Sequence, residues 1–249
     1  MYHQFSVTGL SVIVTGAARG NGRAIADGFR TAGARVFAVD KLQEPLSEIS
    51  SDPNVVTDVA DLRQPESTDR IVKEALKAFE RIDVLVNNAG VSLSAPSPYA
   101  DSVWEETIAV NLSAPFRLAR AIAPIMADHG GGSIINITSL GAMRGFPDNP
   151  SYQAAKAGLG QLTRALARDY GNRNVRANNL CPGYIHTDMT ARSHADPASH
   201  ADRLGRMMLP RWGEPADLVG PCLFLASPAS SYVTGIDLPV DGGWLAKGL

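Results

Sequence analysis

The chain has 249 residues, of which 45% are apolar and 19% are charged, and its formal net charge is −2. This size fits one large α/β domain, and two cysteines exclude a disulfide framework. The balanced charge gives no field that favours nucleic acid or an anionic membrane. We expect a cytoplasmic protein, because no signal-like segment and no run of ~18 apolar residues is visible.

Short apolar strands alternate with helical patterns along the chain. The predicted strands cover residues 12–14, 36–39, 55–56, 84–86, 134–137, 175–181 and 236–240. The predicted helices cover residues 20–32, 65–80, 101–128, 151–170 and 215–226. Strands that are apolar on both faces and joined by helices are typical of a parallel sheet that is covered on both sides. We therefore predict an α/β fold: a single doubly wound Rossmann-type domain over residues 1–249, with about seven strands and helices on both faces.

Residues 190–212 break this alternation. The segment is polar and contains histidines and prolines, without a regular apolar period. A long irregular insertion in a compact domain often serves as a binding loop. We predict that this segment forms a lid over the substrate.

A glycine-rich turn follows the first predicted strand and opens the first helix. Gly16, Gly20 and Gly22 allow a tight turn and a close approach of the backbone to a phosphate group. The start of the helix adds free N–H groups and a partial positive charge. This strand–turn–helix context predicts a dinucleotide-binding site.

Asp40 ends the second predicted strand, where a carboxylate can accept hydrogen bonds from the adenosine ribose and repel a 2′-phosphate. Arg19 and Lys41 oppose this interpretation, because each cation can pair with that phosphate. Repulsion next to the ribose should outweigh two flexible cations. We therefore predict NAD as the cofactor, with NADP as the less favoured alternative.

Three residues in the middle of the chain predict chemistry on a hydroxyl group. Tyr152 and Lys156 are four positions apart and share one face of a helix, and Ser139 ends the preceding strand. Tyr152 is the candidate general acid/base, with its pKa lowered by the positive charge of Lys156. Ser139 can hold the substrate oxygen. Together with the glycine-rich turn, these residues predict hydride transfer between a nicotinamide and an alcohol or ketone.

In their order and spacing, these motifs resemble the short-chain dehydrogenases/reductases over essentially the whole chain. The matching motifs are Thr15-Gly16-(x3)-Gly20-x-Gly22, Asp58-Val59, Asn87-Asn88-Ala89-Gly90, Asn111, Ser139, Tyr152-(x3)-Lys156 and Pro182-Gly183-(x3)-Thr187. The resemblance implies an NAD(P)-dependent interconversion of alcohol and ketone by a homo-oligomer, commonly a tetramer. Asn21 departs from the pattern, because the family usually has a small aliphatic residue there.

The resemblance also implies residue roles. Asp58 would meet the adenine amino group beside Val59, and Asn111 would anchor a water that relays protons from Lys156. Lys156 would also bind the nicotinamide ribose, and Thr187 would hold the carboxamide. The complete set of predicted cofactor-binding residues is Gly16, Arg19, Gly20, Asn21, Gly22, Asp40, Asp58, Val59, Asn87, Ala89, Gly90, Tyr152, Lys156, Pro182, Gly183, Ile185 and Thr187.

Polar residues near the expected pocket favour a small polyol, sugar or hydroxy acid as substrate. The candidate substrate contacts are Arg144, Gln153, Tyr184, His186 and Arg192. The histidines show no metal-ligand spacing, so we predict no metal site. Two alternatives stay open. One is a 3-oxoacyl-[acyl-carrier-protein] reductase that uses NADP, with Arg117, Arg120 and Arg164 for docking. The other is a dinucleotide-binding sensor or scaffold without catalysis.

Overall fold

The computed structural model describes residues 3–49 and 52–247, so the ends of the predicted 1–249 domain lie outside it. Seven parallel strands form one sheet in the order β3-β2-β1-β4-β5-β6-β7. The strands are β1 (Ser11–Thr15), β2 (Arg35–Asp40), β3 (Val55–Val59), β4 (Val84–Asn87), β5 (Gly132–Ile137), β6 (Val175–Pro182) and β7 (Asp237–Val240). The helices are α1 (Gly20–Thr31), α2 (Gln43–Ser47), α3 (Glu66–Phe79), α4 (Asp101–Ile108), α5 (Ala114–Asp128), α6 (Pro150–Tyr170), α7 (Ala191–Ala195), α8 (Pro197–Gly205) and α9 (Val219–Ala226).

The sheet is buried on both faces, which confirms the predicted Rossmann-type architecture. Successive side chains of a strand point to opposite faces. Val12 and Val14 of β1 accordingly join one apolar cluster together with Phe29 of α1. Ile13 joins the other cluster together with Ile122 of α5. The continuous apolar strands are therefore the two-sided core of a parallel sheet.

The strand order reverses between β1 and β4, which are neighbours in the sheet although two strands separate them in sequence. In such sheets a crevice opens at this reversal, outside the carboxyl ends of the strands. The loops after β1, β4, β5 and β6 all leave the sheet at that edge. The topology therefore brings the predicted motifs together.

Several elements differ from the sequence prediction. The helix predicted over residues 101–128 is interrupted by a π-helical turn, Ala109–Ser113. Residues 190–212 are not irregular, because α7 and α8 lie within them. Asp196 caps α8 by accepting a hydrogen bond of 2.8 Å from the backbone N–H of Ser199. The short helix α2 was not predicted. Along the described ranges, no helix is long and apolar enough to cross a membrane.

Candidate active site

A cavity of about 990 Å³ opens at the carboxyl edge of the sheet. Its lining begins at the turn after β1 and continues past Tyr152 to α8 and Trp244. Most of the predicted glycine, catalytic and nicotinamide-side residues line this one cavity. Its two ends are referred to below as the cofactor end, at the turn between β1 and α1, and the substrate end, beneath α8.

The turn between β1 and α1 exposes bare backbone to the cofactor end. Gly16 has a φ of 68°, and a Cβ on it would lie 2.9 Å from the Cα of Ala89. A Cβ on Gly22 would lie 2.0 Å from the carbonyl oxygen of Gly16. Asn88 fixes the turn by donating hydrogen bonds to the carbonyls of Thr15 and Gly16, at 2.9 and 3.2 Å. Only glycine fits both positions, and the resulting surface can approach a pyrophosphate closely.

Asn21 lines the cavity in the first turn of α1. Its side-chain oxygen is buried and accepts no hydrogen bond within the part of the chain that the structure describes. A buried acceptor without a donor is costly, so it suits a ligand or a water that donates to it. This oxygen and the glycine cradle fit a dinucleotide at this turn.

Asp40 ends β2 and lines the cofactor end. Its two carboxylate oxygens each accept a backbone hydrogen bond of 3.0 Å, one from Ala18 and one from Leu42. Arg19 forms an ion pair of 2.8 Å with Asp188 across the cavity, whereas Lys41 is exposed. The carboxylate is thus held in place, while one of the two competing cations, Arg19, is engaged in an exposed ion pair.

Asp58 and Val59 are not among the residues that line the cavity, and their predicted place at the adenine stays a prediction. Asp58 instead pairs with Arg70 of α3, and Val59 is 46% exposed. β3 ends at Val59, and the chain turns into the cavity only at the following residues. The cavity-lining residues directly after β3 are Ala60, Asp61, Leu62 and Arg63.

The side chain of Asn87 is buried within the sheet and does not line the cavity, and its predicted place beside the cofactor stays a prediction. It donates a hydrogen bond of 2.8 Å to Asn136 of β5, which in turn donates one of 2.7 Å to Thr163 of α6. The next residue, Asn88, faces the glycine turn. Ala89 and Gly90 line the cavity.

Ser139, Tyr152 and Lys156 lie together at the floor of the cavity. Ser139 follows β5, and its hydroxyl accepts a hydrogen bond of 3.1 Å from the Gly141 backbone. Lys156 is 4% exposed and donates a hydrogen bond of 2.7 Å to the carbonyl of Ile137. Its ammonium lies 5.7 Å from the centre of the Tyr152 ring. This arrangement can hold a substrate oxygen and move a proton to or from it.

Burial controls the protonation of these residues. It raises the pKa of Tyr152, and the hydroxyl of Ser139 counteracts part of this rise. Burial also lowers the pKa of Lys156 to about 8. Burial of the phenol therefore acts against the lowered pKa that the sequence predicts for Tyr152, and the lowered pKa stays a prediction. Tyr152 is a protonated phenol at neutral pH.

Asn111 lies in the π-helical turn between α4 and α5 and is fully buried. Its amide exchanges two hydrogen bonds of 2.8 Å with the backbone of Val91. A Cβ on Gly90 would lie 3.4 Å from the Asn111 side-chain oxygen and 3.5 Å from the Lys156 ammonium. The amide therefore fixes the loop after β4 beside Lys156, and its polar atoms are already paired. The predicted water-anchoring role of Asn111 stays a prediction.

The loop after β6 forms another wall of the cavity. Pro182, Gly183, Ile185 and Thr187 all line it. The side-chain oxygen of Thr190 accepts a hydrogen bond of 3.0 Å from the Thr187 backbone and donates one of 2.6 Å to the carbonyl of Ile185. The loop is therefore held in a defined shape beside Lys156.

The five predicted substrate contacts do not all reach the cavity. Tyr184 and Gln153 line it, whereas Arg144 and His186 do not, and Arg192 lines a smaller neighbouring cavity. The amide of Gln153 is occupied by the backbone of Phe146, with two hydrogen bonds of 2.7 Å. Tyr184 is therefore the one residue of these five that lines the cavity and whose polar group is not already hydrogen-bonded to the backbone.

Residues that the sequence analysis missed complete the substrate end. The cavity-lining residues added by the structure include Asn149, Met189, Asp202, Arg203, Arg206 and Trp244. Three of them belong to α8 or directly follow it, within the segment that was predicted to be irregular. An Asp-Pro pair at residues 196–197 is a typical helix start and could have indicated this helix.

A cluster of histidines lies beside the substrate end. His194 stacks on His186 with ring centres 4.0 Å apart and contacts His200 edge-on at 4.8 Å. His200 stacks on Trp212 at 5.4 Å. These rings therefore pack against one another beside the cavity. Within residues 3–49 and 52–247, no group of three His, Cys, Asp or Glu residues could hold a metal ion.

A family model described as enoyl-(acyl carrier protein) reductase matches residues 16–245. The chain is 39% identical to the 2-dehydro-3-deoxy-D-gluconate 5-dehydrogenase of Pseudoalteromonas atlantica, over 99% of this chain and 100% of the relative. It is 35% identical to the 3-oxoacyl-[acyl-carrier-protein] reductase of Synechocystis, over 96% and 98%. The crystal structure of a gluconate 5-dehydrogenase from Burkholderia cenocepacia with NADP and tartrate superposes with a TM-score of 0.92, at 31% identity and 98% coverage of both chains.

The fold and the cavity thus define an NAD(P)-dependent oxidoreductase of CH–OH groups, which interconverts a secondary alcohol and a ketone. The chain belongs to the short-chain dehydrogenase/reductase family.

Proposed function

We propose that this protein is an NAD-preferring dehydrogenase/reductase of a small polyol, sugar or hydroxy acid, with Tyr152 as its general acid/base. The observation that carries the proposal is the placement of Ser139, Tyr152 and Lys156 at the floor of a cavity whose other end is a glycine cradle. When bound in that cradle, the nicotinamide supplies or accepts the hydride. The roles of individual residues below are part of this proposal.

Each residue of the catalytic set has a distinct task. The hydroxyl of Ser139 holds the substrate oxygen. Because burial raises its pKa, Tyr152 keeps its proton at neutral pH and donates it to a ketone oxygen that is becoming an alkoxide. In the opposite direction Tyr152 must lose that proton, and the ammonium of Lys156 stabilises the resulting phenolate. Lys156 retains most of its charge at pH 7, since its pKa is about 8.

The preference for NAD rests on Asp40. Its carboxylate is fixed by two backbone hydrogen bonds at the cofactor end, where it would repel a 2′-phosphate. Arg19 is paired with Asp188, which leaves Lys41 as the nearby exposed cation. Near the end of β3, one carboxylate oxygen of Asp58 is buried and accepts no hydrogen bond within the described ranges, so it is available to the adenine amino group, and the same wall of the cavity is lined by Asp61. Arg63 holds its carboxylate and lowers its pKa.

The substrate class follows from the polar substrate end and from the relatives. One relative is named for a deoxygluconate and another for gluconate, and the latter was crystallised with tartrate. These molecules are hydroxylated carboxylates, which agrees with the proposed class of polyols, sugars and hydroxy acids. They are also small and strongly hydrated, so a cavity lined by Tyr184, Arg203 and Asn149 suits them better than an apolar cavity would.

A 3-oxoacyl-[acyl-carrier-protein] reductase is the second candidate, because a relative at 35% identity has that activity. Two of the three arginines proposed for docking are already engaged. Arg164 pairs with Asp237, and Arg117 donates a hydrogen bond of 2.6 Å to the carbonyl of Leu62. The carrier-protein reaction is therefore the less favoured one.

A homotetramer in solution is also proposed. Ala154 and Ala157 are exposed on α6, where small side chains let a second copy approach closely. Light scattering coupled to size-exclusion chromatography would test the tetramer, and a monomer would contradict it.

The decisive experiment is a substrate panel followed by NADH or NADPH absorbance. It contains alditols, aldoses, aldonates and an acetoacetyl thioester, each with both cofactors. Turnover of a hydroxylated substrate that is faster with NAD supports the proposal. Turnover of the thioester with NADPH alone supports the second candidate, and cofactor binding without any turnover supports a sensor.

A further inference from the structure

Within the described ranges, the substrate end contains an arginine that forms no ion pair. Arg203 is half-buried on α8 and lines the cavity. Its guanidinium lies 4.7 Å from the centre of the Tyr184 ring and 5.8 Å from that of Trp212. Contact with these aromatic faces orients the group without neutralising it.

The other arginines that line the cavity have ion-pair partners. Arg206 pairs with Asp202 at 3.0 Å, and Arg19 pairs with Asp188 at 2.8 Å. Arg63 bridges Asp61 and Glu106 at the cofactor end. In contrast, no carboxylate of the described ranges lies within 4.0 Å of the Arg203 guanidinium. The substrate end therefore carries a guanidinium without an ion-pair partner, on which Asp196 of the neighbouring cavity acts only at longer range.

A carboxylate is the group that best complements a half-buried guanidinium without an ion-pair partner. The planar fork of arginine can donate two parallel hydrogen bonds to the two oxygens of such a group. A neutral polyol offers no charge and no such pair of acceptors. Burial raises the pKa of the neighbouring Tyr184, so its hydroxyl stays protonated beside the guanidinium and can also donate a hydrogen bond.

We propose that Arg203 binds the carboxylate of the substrate, so that the enzyme prefers sugar acids and hydroxy acids over neutral polyols. This inference rests on the proposed function, because it concerns the substrate of the same cavity. It adds a specificity-determining residue on α8, separate from the residues that transfer the proton. Asp202 does not oppose the carboxylate strongly, since Arg206 balances its charge.

The test compares each aldonate with the alditol of the same carbon skeleton, for example D-gluconate with D-glucitol. We expect the wild type to favour the aldonate in kcat/KM. In Arg203→Gln this selectivity falls about 10- to 100-fold, mainly through the KM of the aldonate, because a hydrogen bond to a charged group is lost. Arg203→Lys keeps the charge without the fork and should lose less. Arg120→Gln removes an exposed charge from α5, outside the cavity, and should leave the selectivity unchanged.

Calorimetric titration of D-gluconate in the presence of NADH supplies a readout without turnover. Arg203→Gln should weaken this binding by the same factor while NADH binding stays intact, which also shows that the variant is folded. If the wild type uses alditols as well as aldonates, or if Arg203→Gln lowers both equally, the role of Arg203 is wrong and the proposed function stands. If no alcohol or ketone is turned over, the proposed function fails, and the gluconate titration then decides for or against Arg203.

Discussion

The two ends of the cavity are built in different ways. The cofactor end consists mainly of strand ends and backbone: β1 is completely buried, and the turn after it excludes side chains at Gly16 and Gly22. The substrate end lies under α7 and α8, neither of which has a buried residue. Met189 is 52% exposed there.

This contrast separates residues that the packing of the fold requires from residues that serve substrate recognition. At the cofactor end, a single added methyl group meets backbone atoms that cannot move without disturbing the sheet. At the substrate end, recognition depends on side chains of short helices that make few core contacts, so they can change at little cost to stability. Substitutions at the two ends should therefore fail in different ways.

Tyr152→Phe tests the chemistry at the junction of the two ends. Loss of the phenolic proton should lower kcat by about 10²- to 10⁴-fold, because proton transfer to the substrate oxygen is removed. NADH affinity, measured by fluorescence titration, should stay within about threefold of the wild type, a difference of roughly 0.7 kcal/mol. Tyr232→Phe removes the hydroxyl of a fully exposed tyrosine and serves as the control. Substantial residual activity of Tyr152→Phe would exclude Tyr152 as the acid/base.

Gly22→Ala tests the rigidity of the cofactor end. The new Cβ would lie 2.0 Å from the carbonyl oxygen of Gly16, so the turn must move away from its present position. We expect NADH affinity to fall on the order of 100-fold, because the displaced turn loses its backbone hydrogen bonds to the charged pyrophosphate. Gly171→Ala is the matched control, because a Cβ there meets nothing within 4 Å. Unchanged NADH binding in Gly22→Ala would show that the cradle is not the binding surface.

Lys156→Met tests how much the buried ammonium lowers the free energy of unfolding. The pKa of Lys156 is lowered from its ordinary 10.5 to about 8, so between these pH values the unfolded chain binds more protons than the native one. The free energy of unfolding of the wild type, relative to that of Lys156→Met, should therefore rise with pH across this window, by about 3 kcal/mol in total. Urea unfolding of both proteins at pH 7 and pH 10.5 measures the difference. Lys77→Met, at an exposed lysine, should show no such trend, and a constant difference for Lys156→Met would contradict the lowered pKa.

The sequence predicted those parts of the site that lie within one continuous segment. The glycine turn, and Tyr152 with Lys156 on one helix, depend on local spacing alone. Asp58 was assigned to the adenine through its place in the family motif. Local spacing does not reveal that Asp61 lines the cavity next to it, because the end of β3 depends on its pairing with β2, with Val59 opposite Asp40.

The substrate end was the least predictable part, for a related reason. Arg203 becomes informative only when α8 places it over Tyr184, nineteen positions earlier in the chain. The neighbours Asn87 and Asn88 looked equivalent in sequence, yet one is bonded inside the sheet and the other holds the glycine turn. Such differences arise from tertiary contacts, which local spacing does not contain.

Asp40→Asn tests the cofactor preference with a smaller expected effect. Asparagine keeps a side-chain acceptor for the N–H of Ala18 or of Leu42 but removes the negative charge. We expect the ratio of kcat/KM for NAD over NADP to fall about tenfold, which corresponds to roughly 1.4 kcal/mol. A wild type that already prefers NADP, or a ratio that does not change, would contradict the role of Asp40.

Hydrogen exchange compares the two ends directly and tests the predicted lid over residues 190–212. α8 has nine residues and α9 has eight, but α9 buries Cys222, Leu225 and Ala226, whereas α8 buries none. Because exchange follows local opening, amides of α8 should exchange at least about tenfold faster than those of α9. NADH together with D-gluconate should slow exchange in α8 and leave α9 unchanged, since only α8 contacts the cavity. Equal exchange in both helices, or no response of α8 to ligands, would mean that this segment is a fixed wall and not a lid.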